Sequence, residues 1–383
     1  MTRVAIRPEM LRWAYERAGY DSRDLAHRIP QLLDWERGER QPTLKQLEGF
    51  AKATHTPLGF LFLPEPPVER LPIRDLRTVK EEPLRPSADL LDSIYAMQRR
   101  QAWLREERAE CEASPLEFVG SARLNDDPTA VGQEMRRTVD LGDGWAAEVA
   151  NWEDAVSELR RRIERLGVMA VINGVVGNNT HRKLDVVEFR GFALTDPYAP
   201  LIFVNGADAK SAQMFTLAHE LAHVWLGPEG EGVSGFDGIF PGDARIENFC
   251  DQAAAEFLIP ARELKERWRI VKGDADPFER IARHFKVSPI VAGRRAMDLR
   301  LVNRETFFDF YRAYVKRERL QAKAAGGGDF YNNQNTRIGV TFATSVIRAA
   351  MEGRLSFKEA YDLTGLRGGA FQKYARRLGM NLP

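Results

Sequence analysis

Cysteine is almost missing from this chain: Cys111 and Cys250 are the only two in 383 residues. Two thiols so far apart exclude a disulfide framework and fit a reducing compartment, so a cytoplasmic location is expected. Long apolar runs are missing too. No stretch approaches the roughly 18 uncharged residues of a membrane span. The opening residues, Met1-Thr2-Arg3-Val4-Ala5-Ile6-Arg7-Pro8, hold no apolar core of a secretory signal, so no membrane partner is expected. Charge of one sign is also lacking. The 56 Lys and Arg balance 55 Asp and Glu to a net charge of +1, which excludes a global basic field drawing the whole chain onto nucleic acid. No internal repeat is visible. What is present is 44% hydrophobic residues, ample for a buried core in a length that suits about two or three domains.

Hydrophobic periodicity and breakers divide the chain. Residues 1–63 read as a small helical domain. Its helices run from Pro8 to Ala18 before Gly19, from Ser22 (as N-cap) to His27, through Leu32, Leu33 and Trp35, and from Thr43 through Leu44, Leu47 and Phe50. A proline-rich linker follows at 64–83. Residues 84–166 read as a charged helical segment with a helix from Trp152 to Leu166. Strands are expected at 168–176, 186–194 and 201–205, where Val, Ile and Phe are dense. A helix over about 211–226, a loop of six glycines and two prolines between Gly227 and Asp243, and a helix over about 245–258 complete a domain at 167–270. A helical extension at 271–325 and a basic helical domain at 326–383, behind Gly326-Gly327-Gly328, close the chain. The fold class expected is therefore α+β and mostly helical, with one short sheet.

The strongest chemical signal is His219-Glu220-Leu221-Ala222-His223. On a helix, residues i and i+4 share a face, so both imidazoles can reach one zinc ion. Glu220, beside the first, is placed to act as general base toward a water. A catalytic zinc site uses three protein ligands and leaves a fourth position open. Glu247, on the following helix, is the natural third ligand. Asp251 lies one turn on, where it can hold a ligand histidine through its second ring nitrogen. Glu256 is the rival. It is nine residues from Glu247, about 180° round the helix, so both cannot serve. His181, in the polar stretch Asn178-Asn179-Thr180-His181-Arg182, is a candidate substrate or oxyanion contact beside the plainer reading of a solvated loop histidine. Asn205 ends the strand Leu201–Asn205, which reads either as a core strand or as an edge that takes a peptide as an added strand.

These residues carry a resemblance. The Glu-x-x-x-Asp spacing after His-Glu-x-x-His is similar to thermolysin-like peptidases. Phe215 through His223, together with Glu247 and Ala253-Ala254-Ala255-Glu256-Phe257-Leu258-Ile259-Pro260, resembles the ImmA/IrrE family of metallopeptidases, with Asp251 where Asn is common there and Ala253 where Phe is common. The resemblance implies a zincin-type domain with zinc on His219, His223 and Glu247 and with Glu220 as base. It implies a protein substrate, a transcriptional repressor or an antitoxin. It also leaves open a DNA-binding regulator with a structural or sensory zinc, or a toxin-like partner of a toxin–antitoxin pair.

The N-terminal domain, through Leu25-Ala26, Trp35-Glu36-Arg37-Gly38 and Pro42, resembles a Cro/cI-like helix-turn-helix. About one helical turn is missing before Trp35, so the recognition helix is short of groups that read base edges. Residues 1–60 carry ten Lys and Arg against eight Asp and Glu, a weak footprint for DNA. DNA and a docked protein are both open as partners of this domain. Better helix-turn-helix spacing lies at 276–300, Ile281 to Ser288 and then Ile290 to Leu299. Residues 311–383 carry thirteen Lys and Arg against five Asp and Glu, a basic face for an acidic partner or for solvent.

Overall fold

A computed structural model describes residues 3–67, 69, 86–230, 233–234, 244–321 and 330–380. These fall into two compact units, one of residues up to 69 with 86–95, the other of residues from 96 onward. Most of the proline-rich linker and the glycine loop lies outside the described residues, as does Gly326-Gly327-Gly328. Mostly helical α+β architecture is what the chain adopts.

The first unit holds α1 (Pro8–Arg17), α2 (Ser22–Ala26), α3 (Leu32–Glu36) and α4 (Leu44–Ala53). Asp21, not Ser22, caps α2: its carboxylate accepts from the Arg23 N–H. A carboxylate favours exposed N–H groups at a helix start, and Asp21 stands one residue earlier in extended backbone. Thr43 and Gln46 form a capping box on α4. Met10, Leu11, Leu25, Leu32, Trp35, Leu47 and Phe50 build one core. Helix α3, where the Cro/cI-like resemblance puts a recognition helix, has five residues.

Helix α5 (Ala88–Glu110) is followed by α6 (Pro128–Thr138) and α7 (Trp152–Arg165). The strands are β1 (Met169–Asn173), β2 (Val175–Val176), β3 (Asn179–Lys183), β4 (Gly191–Leu194) and β5 (Leu201–Asn205). Helix α8 (Lys210–Leu226), β6 (Val233–Ser234), α9 (Ala244–Leu258), α10 (Ala261–Val271), α11 (Pro277–Phe285), α12 (Pro289–Asp298) and α13 (Arg304–Gln321) follow. Then come α14 (Phe330–Ile338), α15 (Val340–Met351), α16 (Phe357–Thr364) and α17 (Gly369–Arg377). The main sheet has the order β1-β5-β4-β6, with β1 parallel to β5 and the other pairs antiparallel. Every residue of β1, β4 and β5 is buried, which is why these strands read as unbroken apolar runs. Helix α8 packs on β4 and β5, while α7 and α14 pack on β1.

Two sequence expectations change. Residues 178–183 are not a loop: β2 and β3 form a separate antiparallel hairpin. The Gly177-Asn178 pair, between Val176 and Asn179, is a two-residue hairpin turn signal. The strand expected over 186–194 starts only at Gly191, after a segment in which Phe189 N–H donates to the Asp185 carbonyl.

Candidate metal centre

Helix α8 owes its position to burial on nearly all sides. Thirteen of its 17 residues are buried, among them His219, Glu220 and His223. Its C-terminal end is tied down by the preceding chain, where the Gly120 and Ala122 N–H groups donate to the Val224 and Trp225 carbonyls. Such backbone bonds satisfy carbonyls that a helix end leaves open. Helix α9 lies across α8 and is pressed from outside by α6. A Cβ on Gly132 of α6 would meet the Ala253 carbonyl oxygen at 2.5 Å. The two helices approach closely there, which leaves no room for a side chain at position 132.

The two helices bring three donors together. The Nε2 atoms of His219 and His223 are 3.0 Å apart. Glu247 reaches them with Oε2 at 3.2 Å from His219 Nε2 and Oε1 at 3.7 Å from His223 Nε2. Four-coordinate zinc with bonds of about 2.0–2.1 Å sets neighbouring ligand atoms about 3.3 Å apart, so these three donors fit its coordination shell. His219 Nδ1 donates to Asp251 Oδ1 at 3.0 Å, leaving Nε2 toward the cluster. This carboxylate–histidine pairing fixes the ring and makes it a better ligand. Among the described residues, His219, His223 and Glu247 are the one group of three or more acidic, His or Cys side chains arranged to hold a metal ion.

Electrostatics follow the same geometry. Burial opposes a charge on His219, yet Asp251 and Glu247, with Glu220 near, outweigh it and lift its pKa to about 10. Burial would raise Glu247, but His219 and His223 hold it below the usual carboxylate value. Cys250 is buried between these groups. Burial, and then Glu247, Glu220 and Asp251, push its thiol well above the ordinary range, and it is not among the three side chains grouped to hold a metal ion.

Glu220 is fully buried and faces the sheet. A Cβ on Gly191 of β4 would lie 2.8 Å from Glu220 Oε1 and 2.7 Å from Thr216 Cγ2. Glycine at 191 therefore gives the carboxylate its place over the strand. Sequence reading missed this residue, since nothing in a lone glycine points to a partner 29 positions later.

Glu256, the rival third ligand in the sequence, has other partners. Glu256 is 2% exposed, ion-paired with Arg295 and hydrogen-bonded by Gln133 Nε2 at 3.1 Å. It belongs to the packing of α9 against α6 and α12. Strand β5 lies between β1 and β4, so it offers no edge for an added peptide. Asn205 is buried and engaged: its Nδ2 donates to the Phe189 carbonyl and its Oδ1 accepts from the Ala207 N–H. It shapes the turn into α8. His181 sits exposed on β3, in the hairpin whose Asn178 bonds Gly365 and Gln334 of the C-terminal helices.

Comparison with known families fits this arrangement. Residues 163–297 match the peptidase M78 family, described as the IrrE N-terminal-like domain. That segment spans β1 to α12 and contains the whole donor set, and its kinship is with a generally metal-dependent, peptidase-type domain. Residues 338–377 match a domain of unknown function, DUF8813. Neither match reaches the N-terminal unit. No curated protein matches the chain. Among the described residues, no helix is long and apolar enough to cross a membrane.

Proposed function

We propose that this protein is a zinc-dependent endopeptidase that cleaves a protein substrate, a transcriptional repressor or an antitoxin. The observation that carries the reading is the donor triangle of His219, His223 and Glu247 at zinc-like spacings, with Glu220 in the same helical turn. Zinc in that triangle supplies Lewis acidity, which polarises a peptide carbonyl and lowers the pKa of water. Glu220, excluded from solvent, takes the proton from the attacking water and hands it to the departing amine. Asp251 keeps His219 in the tautomer that presents Nε2. Catalytic zinc sites use three protein ligands and keep a fourth position for water or substrate, and His219, His223 and Glu247 supply three. The regulatory choice of substrate rests on the resemblance to ImmA/IrrE peptidases.

The test is incubation of the zinc-loaded protein with the product of its neighbouring gene. One discrete cut is expected. Glu220→Gln should keep the metal and lose cleavage by about 10²-fold or more. A Glu220→Gln protein that cuts at the full rate defeats the assignment of the base. A zinc-loaded wild type that cuts nothing but binds DNA would favour the regulator without proteolysis.

A further inference from the structure

A cavity of about 460 Å³ opens at the other end of the metal-bearing helix, walled by α7, α8, α11, α13 and the start of α12. That volume lies in the range of small-molecule sites. Its lining is chemically one-sided. Lys210, Arg283 and Arg317 face it against a single carboxylate, Glu279, an excess of two positive charges. Glu279 accepts from Arg317 at 2.6 Å and lies 3.6 Å from Arg283, so one carboxylate is shared by two guanidiniums. A smaller hollow of about 270 Å³ shares Arg283 and adds Arg267, Arg280 and Lys286, of which Arg280 pairs with Asp274. The positive potential therefore continues past the cavity wall.

Two aromatic side chains, Trp152 and Tyr314, line the same space. Trp152 is held by its indole N–H, which donates to the Val287 carbonyl at 3.3 Å. The Arg317 guanidinium lies 5.1 Å from the centre of the Tyr314 ring. The first turn of α8 supplies Lys210 and Ser211 to the lining, and the Asp208 carboxylate just before it accepts from the Ala209 N–H at 2.8 Å. An apolar ligand has no use for the cations, and a bare phosphate has none for the rings.

We propose that this cavity binds a phosphorylated nucleotide, with its phosphates on Lys210, Arg283 and Arg317 and its base against Trp152 and Tyr314. The occupant would touch the helix that carries His219, roughly 13 Å further along at 1.5 Å per residue. Binding is read directly, so the proposal stands or falls apart from the peptidase reading.

The experiment is calorimetric titration of the full-length protein, at fixed salt, with ADP, pyrophosphate and adenosine in separate runs. ADP should bind at least about tenfold more tightly than pyrophosphate, the increment of one stacked base, and adenosine more weakly still. Lys210→Ala with Arg283→Ala should weaken ADP by about tenfold or more. Trp152→Leu should weaken ADP and leave pyrophosphate unchanged, and Arg294→Ala, an exposed arginine on α12, should change neither. Absence of ADP binding at millimolar concentration overturns the proposal. So does ADP binding untouched by the double variant, pyrophosphate binding as tightly as ADP, or binding confined to a single-stranded oligonucleotide.

Discussion

At one end of α9, Glu247 faces two imidazoles; at the other, Glu256 faces a guanidinium. Both carboxylates stand on the same helix and are withdrawn from solvent, Glu256 almost wholly. Their neighbours separate them. Arg295 is a fixed cation that stays charged at all accessible pH values, so the Glu256 pair is closed and structural. Histidines can shed their protons, so Glu247 sits among groups that can give way to a metal ion. Burial of a glutamate thus says little about its role, and the identity of what it faces says most.

The comparison can be broken from its closed end. Glu256→Gln leaves Arg295 without its counter-charge in the core, and removal of one partner of a buried pair costs about 3–5 kcal/mol. Zinc affinity should be unchanged. Denaturant unfolding and zinc titration of the same variant check both halves, and a large loss of metal affinity at undisturbed stability would reverse the assignment of the two glutamates.

From the open end, Asp251→Asn tests how the metal ligand is held. Asparagine keeps the shape and loses the charge that favours the donating Nδ1–H of His219. Zinc affinity should fall by about 10–100-fold with the fold intact. Retention of full affinity would show that Asp251, whose side chain is 59% exposed, does not orient the histidine.

A third carboxylate sharpens the contrast with a smaller effect. Glu164 on α7 lies 2.8 Å from Arg160, and both side chains are buried. Burial outweighs Arg160 and the Val340 N–H, and lifts Glu164 from the ordinary carboxylate range to about 7. A folded-state pKa above the unfolded one contributes stability that is complete below about pH 4.5 and lost as pH rises through about 7. The melting temperature of the metal-free protein should therefore carry a downward component over that window, and Glu164→Gln should remove it. An unchanged pH profile in the variant would show that Glu164 does not titrate there.

Much of this centre is legible in the sequence because a helix converts spacing into geometry. His219 and His223 must share a face, and Asp251 must follow Glu247 by one turn. The different surroundings of Glu247 and Glu256 are not legible locally, because both lie on α9 and Arg295, the partner of Glu256, comes 39 residues later in a different helix. The fold class follows from periodicity, and the buried strands β1 and β5 from their apolar runs. The β2–β3 hairpin was hidden by its polar composition. Strand β3 is largely exposed, so no alternation marks it, and only Gly177-Asn178 signals the turn. Gly191 and Gly132 were illegible for another reason: each is needed because of a backbone or carboxylate far along the chain. The order of strands, which removes β5 from any edge, is likewise set by long-range pairing.

The central claim is that His219, His223 and Glu247 form one zinc site. The most direct measurement is metal content and affinity of the purified chain, stripped with chelator and reloaded with zinc, beside Glu247→Ala and Glu256→Gln. One zinc per wild-type chain is predicted, retained by Glu256→Gln and weakened in Glu247→Ala by more than the roughly 10–100-fold that loss of an outer partner costs. A wild type that takes up no zinc, or a Glu247→Ala protein that binds it as tightly as the wild type, would contradict the account.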